Sequence, residues 1–512
     1  MKTKLKTMRT QNAISAIYRD LFCLIVLLAL FYNIGLGYYP LFTPDEGRYS
    51  EVAREMLVTH DYVTPRVNGI AFLDKPVLYY WLQALSMRVF GLSEWALRFF
   101  PMLAGLCLTL ATYFFAHQLF DRRAALLSAG ILATSPLVFA AAHYANLDLE
   151  VALFITLSLY AGMIALYRPA FFNVGLYLSV VAASLAVLTK GLIGLFFPGL
   201  ILGVMFLYLR RFQYLTVTNV LISILLFSLI VLPWFIAVQI KNPQFFHYFF
   251  IVQQVNRFLS QATFNNPTPS WFYLPVVLIG FFPWSLFLYP AVKHAILQIK
   301  TNAKERAIGL FLLLYSLAVL VFFSLPQSKI VTYILPIFPP LALLVGWYLS
   351  ANWVTIMERR YALYGMMGVA FSTVLVLVSL PFIAPRFNTQ STKAFASVIK
   401  PLMTHDTEVV SYFDYFHDLP LYLEKTVKVV GDWQDPMLMR RDNWRREFAL
   451  GAAFQDVSTI LLDEKTFWQH WQHKHLLVIM SKSDFEQLRK TAKDYRILKE
   501  TRNIVLVSNQ IH

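Results

Sequence analysis

Cysteine is almost missing from this chain. Its two cysteines, Cys23 and Cys107, both lie inside apolar runs, so no disulfide framework is available. Charge is scarce as well: Asp, Glu, Lys and Arg make up 14% of 512 residues, where soluble domains carry about 25%. Neither an internal repeat nor a low-complexity segment is evident. The apolar stretch 21–39 is too long for the core of a cleaved signal peptide and lacks a small-residue cleavage site, so it is expected to stay as a span. What abounds is apolar surface. Hydrophobic residues are 58% of the chain and aromatics 16%, the composition of a polytopic α-helical membrane protein.

The net charge is +15, yet Lys and Arg sit in short clusters between apolar runs rather than on one basic face, which argues against nucleic acid as a partner. Crossing hydrocarbon takes about 20 apolar residues. Such runs fall near 21–39, 97–119, 124–142, 148–166, 172–188, 192–209, 216–238, 271–293, 306–325, 332–350 and 361–384, and a split or re-entrant segment in 77–96 or 240–265 would bring eleven helices to as many as 13. Loops on the side of the N-terminus hold Lys2, Lys4, Lys6, Arg9 and Arg19, then the pairs Arg122–Arg123 and Arg210–Arg211, then Lys293 to Arg306 and Arg359–Arg360. That side is therefore read as cytoplasmic. The membrane domain, 1–384, then exposes two external loops, 40–96 with amphipathic helices and 239–270. The tail, 385–512, falls on the same external side. Its short apolar runs at 427–430, 476–480 and 504–507 read as strands, and Ser483 with Glu486 reads as a capping box. A soluble α/β domain that folds apart from the bundle is expected.

Lipid penalises charge, so charges gathered at one membrane face mark a functional site. The external loops hold Thr43-Pro44-Asp45-Glu46-Gly47-Arg48-Tyr49, Asp74-Lys75-Pro76, Asp148, Lys190, the stretch Gln253 to Arg257, and Ser328-Lys329 with Tyr333. Thr43, Pro44 and Glu46 fit the N-cap, N1 and N3 positions of a helix start. Asp45, Arg48, Tyr49 and Val52 then share one helical face, while Glu51, Arg54 and Glu55 read as a solvated ion-pair face. Asp45 has no capping role and can act as base or charge partner; Arg48 and Tyr49 can grip a phosphate. Tyr79-Tyr80-Trp81 reads as an interfacial aromatic belt. Asp148 and Lys190 read as a structural salt bridge, and Arg257 as a phosphate ligand or a snorkelling side chain. His143 and His247 form no pair at metal-ligand spacing.

The order of these motifs resembles bacterial membrane glycosyltransferases of the GT-C superfamily. Asp45-Glu46-Gly47-Arg48-Tyr49 follows the first span, Lys75-Pro76 lies in the same loop, Leu147-Asp148 opens the fourth span, and Thr189-Lys190-Gly191 turns the fifth into the sixth. Ser328-Lys329 then precedes Thr332-Tyr333-Ile334-Leu335-Pro336. Within that superfamily the likeness is greatest to the 4-amino-4-deoxy-L-arabinose lipid A transferases, relatives of protein O-mannosyltransferases. It covers about residues 15–350 and the plan of the tail.

The resemblance implies an inverting enzyme of the bacterial inner membrane. It would move one sugar from undecaprenyl phosphate to a periplasmic acceptor, lipid A first, with a secreted protein or another envelope glycan as alternatives. It implies a catalytic Asp45, donor-phosphate ligands Arg48, Lys75 and Tyr333, and supporting roles for Glu46, Tyr49, Asp74, Gln254, Arg257 and Lys329. Asp148 and Lys190 match a structural charged pair. No cofactor is required and a monomer is expected. The family's metal-holding positions are occupied here by Asp74, where Glu is usual, and by Gln253-Gln254, where a Glu-His pair is usual, so no metal is assigned. A lipid-linked sugar flippase or transporter is the rival of another class; a transporter would carry inverted repeats and midplane charges.

Overall fold

A computed structural model describes residues 2–256, 268–358, 360–440 and 443–510. Helix α1 (Lys2–Asn33) leads into a long loop that carries α2 (Asp45–Thr59), a two-stranded hairpin of β1 (Arg66–Val67) and β2 (Ile70–Ala71), and α3 (Leu78–Phe90). The bundle continues through α4 (Glu94–Leu119), α5 (Arg122–Ala133), α6 (Pro136–Ala142), α7 (Asp148–Tyr167), α8 (Phe172–Lys190), α9 (Ile193–Leu209) and α10 (Val217–Lys241). A π-helix spans His247–Asn256, and apolar helices follow to Arg386.

Among the described residues eight helices are long and apolar enough to cross a membrane. Two further pairs pass that test jointly, α5 with α6 bent by 63° and the segment Ser270–Gln298 bent by 107°, while α9 is shorter. Each of these segments lies on one of the apolar runs read from the sequence, and the protein is a multi-pass membrane protein. Pro136 opens α6 and accounts for the first bend, because it cannot continue the hydrogen-bond ladder of α5. Helix α7 is apolar all round and largely buried, as expected for the central helix of a bundle. It packs against α8, whose C-terminal Lys190 is followed by Gly191 in a left-handed conformation, φ +89°.

From Lys393 the chain builds a six-stranded sheet in the order β5-β4-β3-β6-β8-β7. The strands are β3 (Thr407–Tyr412), β4 (Lys428–Val430), β5 (Leu461–Leu462), β6 (His475–Ser481), β7 (Arg496–Glu500) and β8 (Ile504–Ser508). Strands β3, β4, β5 and β6 are parallel, and β8 runs antiparallel to both of its neighbours, β6 and β7. One sheet face, with Val410, Val430, Val478 and Val505, closes over Phe467 and Phe485 from the tail's own helices. The opposite face, with Val409, Val429, Leu477 and Leu506, belongs to the core that runs on into the membrane bundle. That core also takes in Phe395, Ile399, Leu419 and Phe448 of the tail, so the tail packs continuously onto the bundle. The helix expected to open at Ser483 begins at Lys482, capped by Ser481, whose hydroxyl oxygen accepts from the Asp484 N–H.

The seam between tail and loop is polar at its edges. Asn68 and Gly69 both take left-handed φ values, +53° and +78°, and form the two-residue turn of the β1–β2 hairpin. The buried Asn68 side chain donates to the Val427 carbonyl at 2.8 Å and accepts from the Val427 N–H at 2.7 Å. At Gly47, in the middle of the loop motif, a Cβ would lie 2.7–2.9 Å from the backbone of His417 and Asp418. Only glycine allows that approach.

Candidate active site

The site is built on α2, and α2 is anchored by a buried ion pair. Glu46 and Arg98 are both fully buried, joined by two hydrogen bonds of 2.7 and 2.8 Å. The Glu46 carboxylate also accepts from the N–H groups of Phe42 and Ala145, each at 2.7 Å. Arg98 donates to the carbonyls of Leu36 and Tyr39 and lies over the Tyr39 ring at 3.7 Å. A buried pair persists only when its remaining donors and acceptors are filled, and here they are. Glu46 thus ties α4, the loop before α2 and the loop before α7 together. It is a positioning residue rather than the cap of a Thr43-based box, since Pro44 precedes the helix without a side-chain cap and the Thr43 hydroxyl donates to Gln390.

Turned the other way, the next residues of α2 open onto a cavity of about 370 Å³. Residues singled out in the sequence line it, among them Asp45, Arg48, Tyr49, Asp74, Lys75, Asp148, Lys190, Gln253, Ser328 and Tyr333. The Lys190 ammonium bonds Asp148 and sits 3.7 Å from the centre of the Tyr333 ring, while the Thr332 hydroxyl donates to the second Asp148 oxygen. This is the salt bridge expected from the sequence, and it fixes Tyr333 at the cavity wall. Asp74 accepts from the Tyr248 hydroxyl and, at 3.0 Å, from the Gln253 amide. Burial holds the Tyr49 phenol well above its ordinary pKa, so it stays a neutral donor.

Other residues singled out in the sequence lie elsewhere or outside the described residues. Lys329 is buried and donates to the Thr268 carbonyl at 3.0 Å, so it does not line the cavity. Arg257 and the Gln254 side chain lie outside the described residues; Gln253, one residue earlier, is the amide at Asp74. Glu51, Arg54 and Glu55 form a buried triad, with 2.6–3.0 Å contacts, because the tail helix Leu419–Leu423 covers that face of α2. Tyr79 and Tyr80 are fully buried against Tyr49 rather than lying in an interfacial belt, and Trp81 donates to the Tyr62 carbonyl. Among the described residues no group of three or more His, Cys, Asp or Glu could hold a metal, and the Asp74 oxygen is committed to Tyr248 and Gln253.

The tail supplies what sequence reasoning missed. Asn443, Trp444, Arg446 and Glu447, from the helix Trp444–Ala452 and its N-cap, complete the cavity wall with His417. Arg48 pairs with Glu447 at 3.0 Å and lies 4.0 Å from Asp45. Nothing in the local sequence couples residue 48 to residue 447.

Residues 17–249 match the family of dolichyl-phosphate-mannose-protein mannosyltransferases, and residues 395–509 match the aminoarabinose transferase C-terminal domain. The whole chain is similar in fold to crystal structures of ArnT from Cupriavidus metallidurans. The form bound to undecaprenyl phosphate gives a TM-score of 0.82 at 24% identity and covers 96% of this chain and 98% of that one. An oligosaccharyltransferase, AglB from Archaeoglobus fulgidus, gives a TM-score of 0.57 at 14% identity, covering 80% of this chain and 64% of that one. The fold is that of the GT-C class of membrane proteins.

Among sequences, the undecaprenyl phosphate-alpha-4-amino-4-deoxy-L-arabinose arabinosyl transferase of Pectobacterium atrosepticum is 32% identical over 71% of this chain and 66% of its own. The transferase of the same name from Aeromonas salmonicida is 34% identical over 69% and 64%. The chain belongs to the family that joins a mannosyltransferase-type membrane region to an aminoarabinose transferase C-terminal domain. It spans less than two thirds of the length of these curated relatives.

Proposed function

We propose that the protein transfers a single sugar from undecaprenyl phosphate to an envelope acceptor, with 4-amino-4-deoxy-L-arabinose as the sugar and lipid A as the acceptor. The names of the relatives support the donor and the sugar. The observation that carries the reading is the gathering of Arg48, Lys75, Lys190 and the Tyr333 side chain around one cavity with Asp45. A departing polyprenyl phosphate needs fixed donors for its charge, and each such donor is worth roughly 10²–10³ in rate. Arg48, Lys75 and the Tyr333 hydroxyl serve that phosphate, while Asp45 orients or deprotonates the acceptor oxygen on the opposite face of the sugar. If the acceptor oxygen belongs to a phosphate it is already ionised, and Asp45 then positions it and stabilises cationic character on the sugar. Displacement at a single such site inverts the anomeric centre. The chemistry needs no cofactor, and one copy of the chain contains the whole cavity.

The site and tail face the periplasm in this reading, and the protein lies in the bacterial inner membrane. The support is the gathering of Lys and Arg in the loops at the other ends of the spans. Mass spectrometry of lipid A from cells with and without the gene tests the acceptor: a mass increment of one aminopentose is expected. A second reading, transfer to a protein hydroxyl, is favoured by the match of residues 17–249 to protein mannosyltransferases. It predicts the increment on secreted proteins instead.

A further inference from the structure

The sheet of the tail reverses its winding at β3. From β3 the chain moves outward to β4 and β5, then returns to lay β6 along the other side of β3. Such a reversal leaves a crevice beyond the carboxyl ends of the two central strands, and open α/β sheets bind ligands there. The crevice is present. A cavity of about 320 Å³ lies between Asp414 and Tyr415, which follow β3, Ser481, which ends β6, and Asn503, which precedes β8. Thr43 and Gln390 close it from the membrane side.

Two local features mark the crevice as built. Phe413, the first residue after β3, holds a left-handed backbone, φ +53°, which an L side chain adopts only when its surroundings enforce it. That turn is pinned by the Ser411 hydroxyl, which donates to the Asp414 carbonyl at 2.7 Å. Beside it His417 is buried, its Nε2 has no hydrogen-bond partner among the described residues, and burial with the nearby Arg48 holds the imidazole neutral.

The chemistry of the two cavities differs. Arg48, Lys75 and Lys190 line the first, which suits a phosphate. Among the described residues no lysine or arginine lines the crevice. Asp414, Gln390, Asn503, Thr43 and Ser481 line it instead. Carboxylate, amide and hydroxyl groups hydrogen-bond sugar hydroxyls. Pro44 and His417 line both cavities, so the crevice lies one wall away from Asp45.

We propose that the switch-point crevice is a second binding site, which holds an uncharged, hydroxyl-rich sugar unit of the acceptor while the first cavity holds the donor phosphate. The proposal rests on the transfer reading above for its role, but not for its binding. The test uses the full chain in detergent, with a phosphate-free, N-acetylated aminosugar disaccharide as probe and polyprenyl phosphate as the second ligand. Wild type should bind both together. Asp414→Asn and the surface variant Asn503→Ala should each weaken the disaccharide at least tenfold, leave polyprenyl phosphate affinity unchanged, and raise the KM for the acceptor with little change in kcat. Failure of wild type to bind the disaccharide, equal binding by both variants, or displacement of the disaccharide by polyprenyl phosphate would overturn the site. Binding lost in the variants of a protein that transfers no sugar would uphold the crevice and overturn the transfer reading instead.

Discussion

Arg48 of the membrane domain and Glu447 of the tail meet at 3.0 Å over one cavity, with Asp45 4.0 Å from the same guanidinium. The cation assigned to the donor phosphate is thus held by an anion from the far end of the chain, and a bound phosphate must share Arg48 with Glu447. Glu447→Gln keeps the shape of the side chain and removes its charge. Polyprenyl phosphate should then bind about three- to tenfold tighter, a change of up to ~1.4 kcal/mol, whereas Arg48→Ala should weaken it. Titration calorimetry on the three proteins decides the point; weaker binding by Glu447→Gln would show that Glu447 only orients Arg48.

Gly47 sits where the backbone of His417 and Asp418 crosses α2. In an exposed helix, Gly→Ala stabilises by about 1 kcal/mol. Here the added Cβ would stand 2.7 Å from a backbone nitrogen, so Gly47→Ala should destabilise by about 1–3 kcal/mol, as overpacking does. It should also lower turnover more than tenfold by lifting His417 and the tail from the cavity. A melting temperature equal to or above that of wild type would count against this close approach.

The triad Glu51–Arg54–Glu55 is buried, so its loss is not a surface effect. Arg54→Ala leaves two carboxylates against the tail without their cation. The expected cost is ~3–5 kcal/mol, against the ~0–1 kcal/mol of an exposed pair. Thermal unfolding in detergent measures it, and a shift as small as that of a surface substitution would contradict the burial.

In the tail, burial works to raise the pKa of Glu408, but hydrogen bonds from Lys428, Lys474 and His470 outweigh it and hold the carboxyl at about 2. The folded pKa lies below the ordinary value of 4.5, so the folded state favours the ionised form. Its contribution is complete above about pH 4.5 and is lost as pH falls toward about 2. Unfolding midpoints of wild type and Glu408→Gln should therefore differ at pH 6 and converge in acid. A gap that stays constant with pH would exclude the linkage.

The spans were legible because lipid allows few solutions: each long apolar run of the sequence became a helix or a bent pair. The loop residues Asp45, Arg48, Lys75, Asp148, Lys190 and Tyr333 were legible as charges and a phenol at span ends on one face, and they share one cavity. Burial by the tail was not. A helical face with Glu51, Arg54 and Glu55 reads as solvated until the helix Leu419–Leu423 covers it, and Tyr79 and Tyr80 read as a belt until α2 packs on them. Glu447 and His417 carried no local signal, since their roles come from a contact across hundreds of residues. One signal was present in the sequence: Asn68-Gly69 is a two-residue hairpin turn, and its asparagine docks the tail.

The division of labour around the cavity is tested most directly by Asp45→Asn, with donor binding and turnover measured on the same preparation. Asparagine keeps the size and hydrogen bonds of Asp45 and removes its charge. With a synthetic polyprenyl-phosphate-linked aminosugar and lipid A, donor affinity should stay within about threefold of wild type while turnover falls by at least about 10², the lower end of the range for general-base catalysis. Near-normal turnover by Asp45→Asn would contradict the assignment of this cavity as the transfer site.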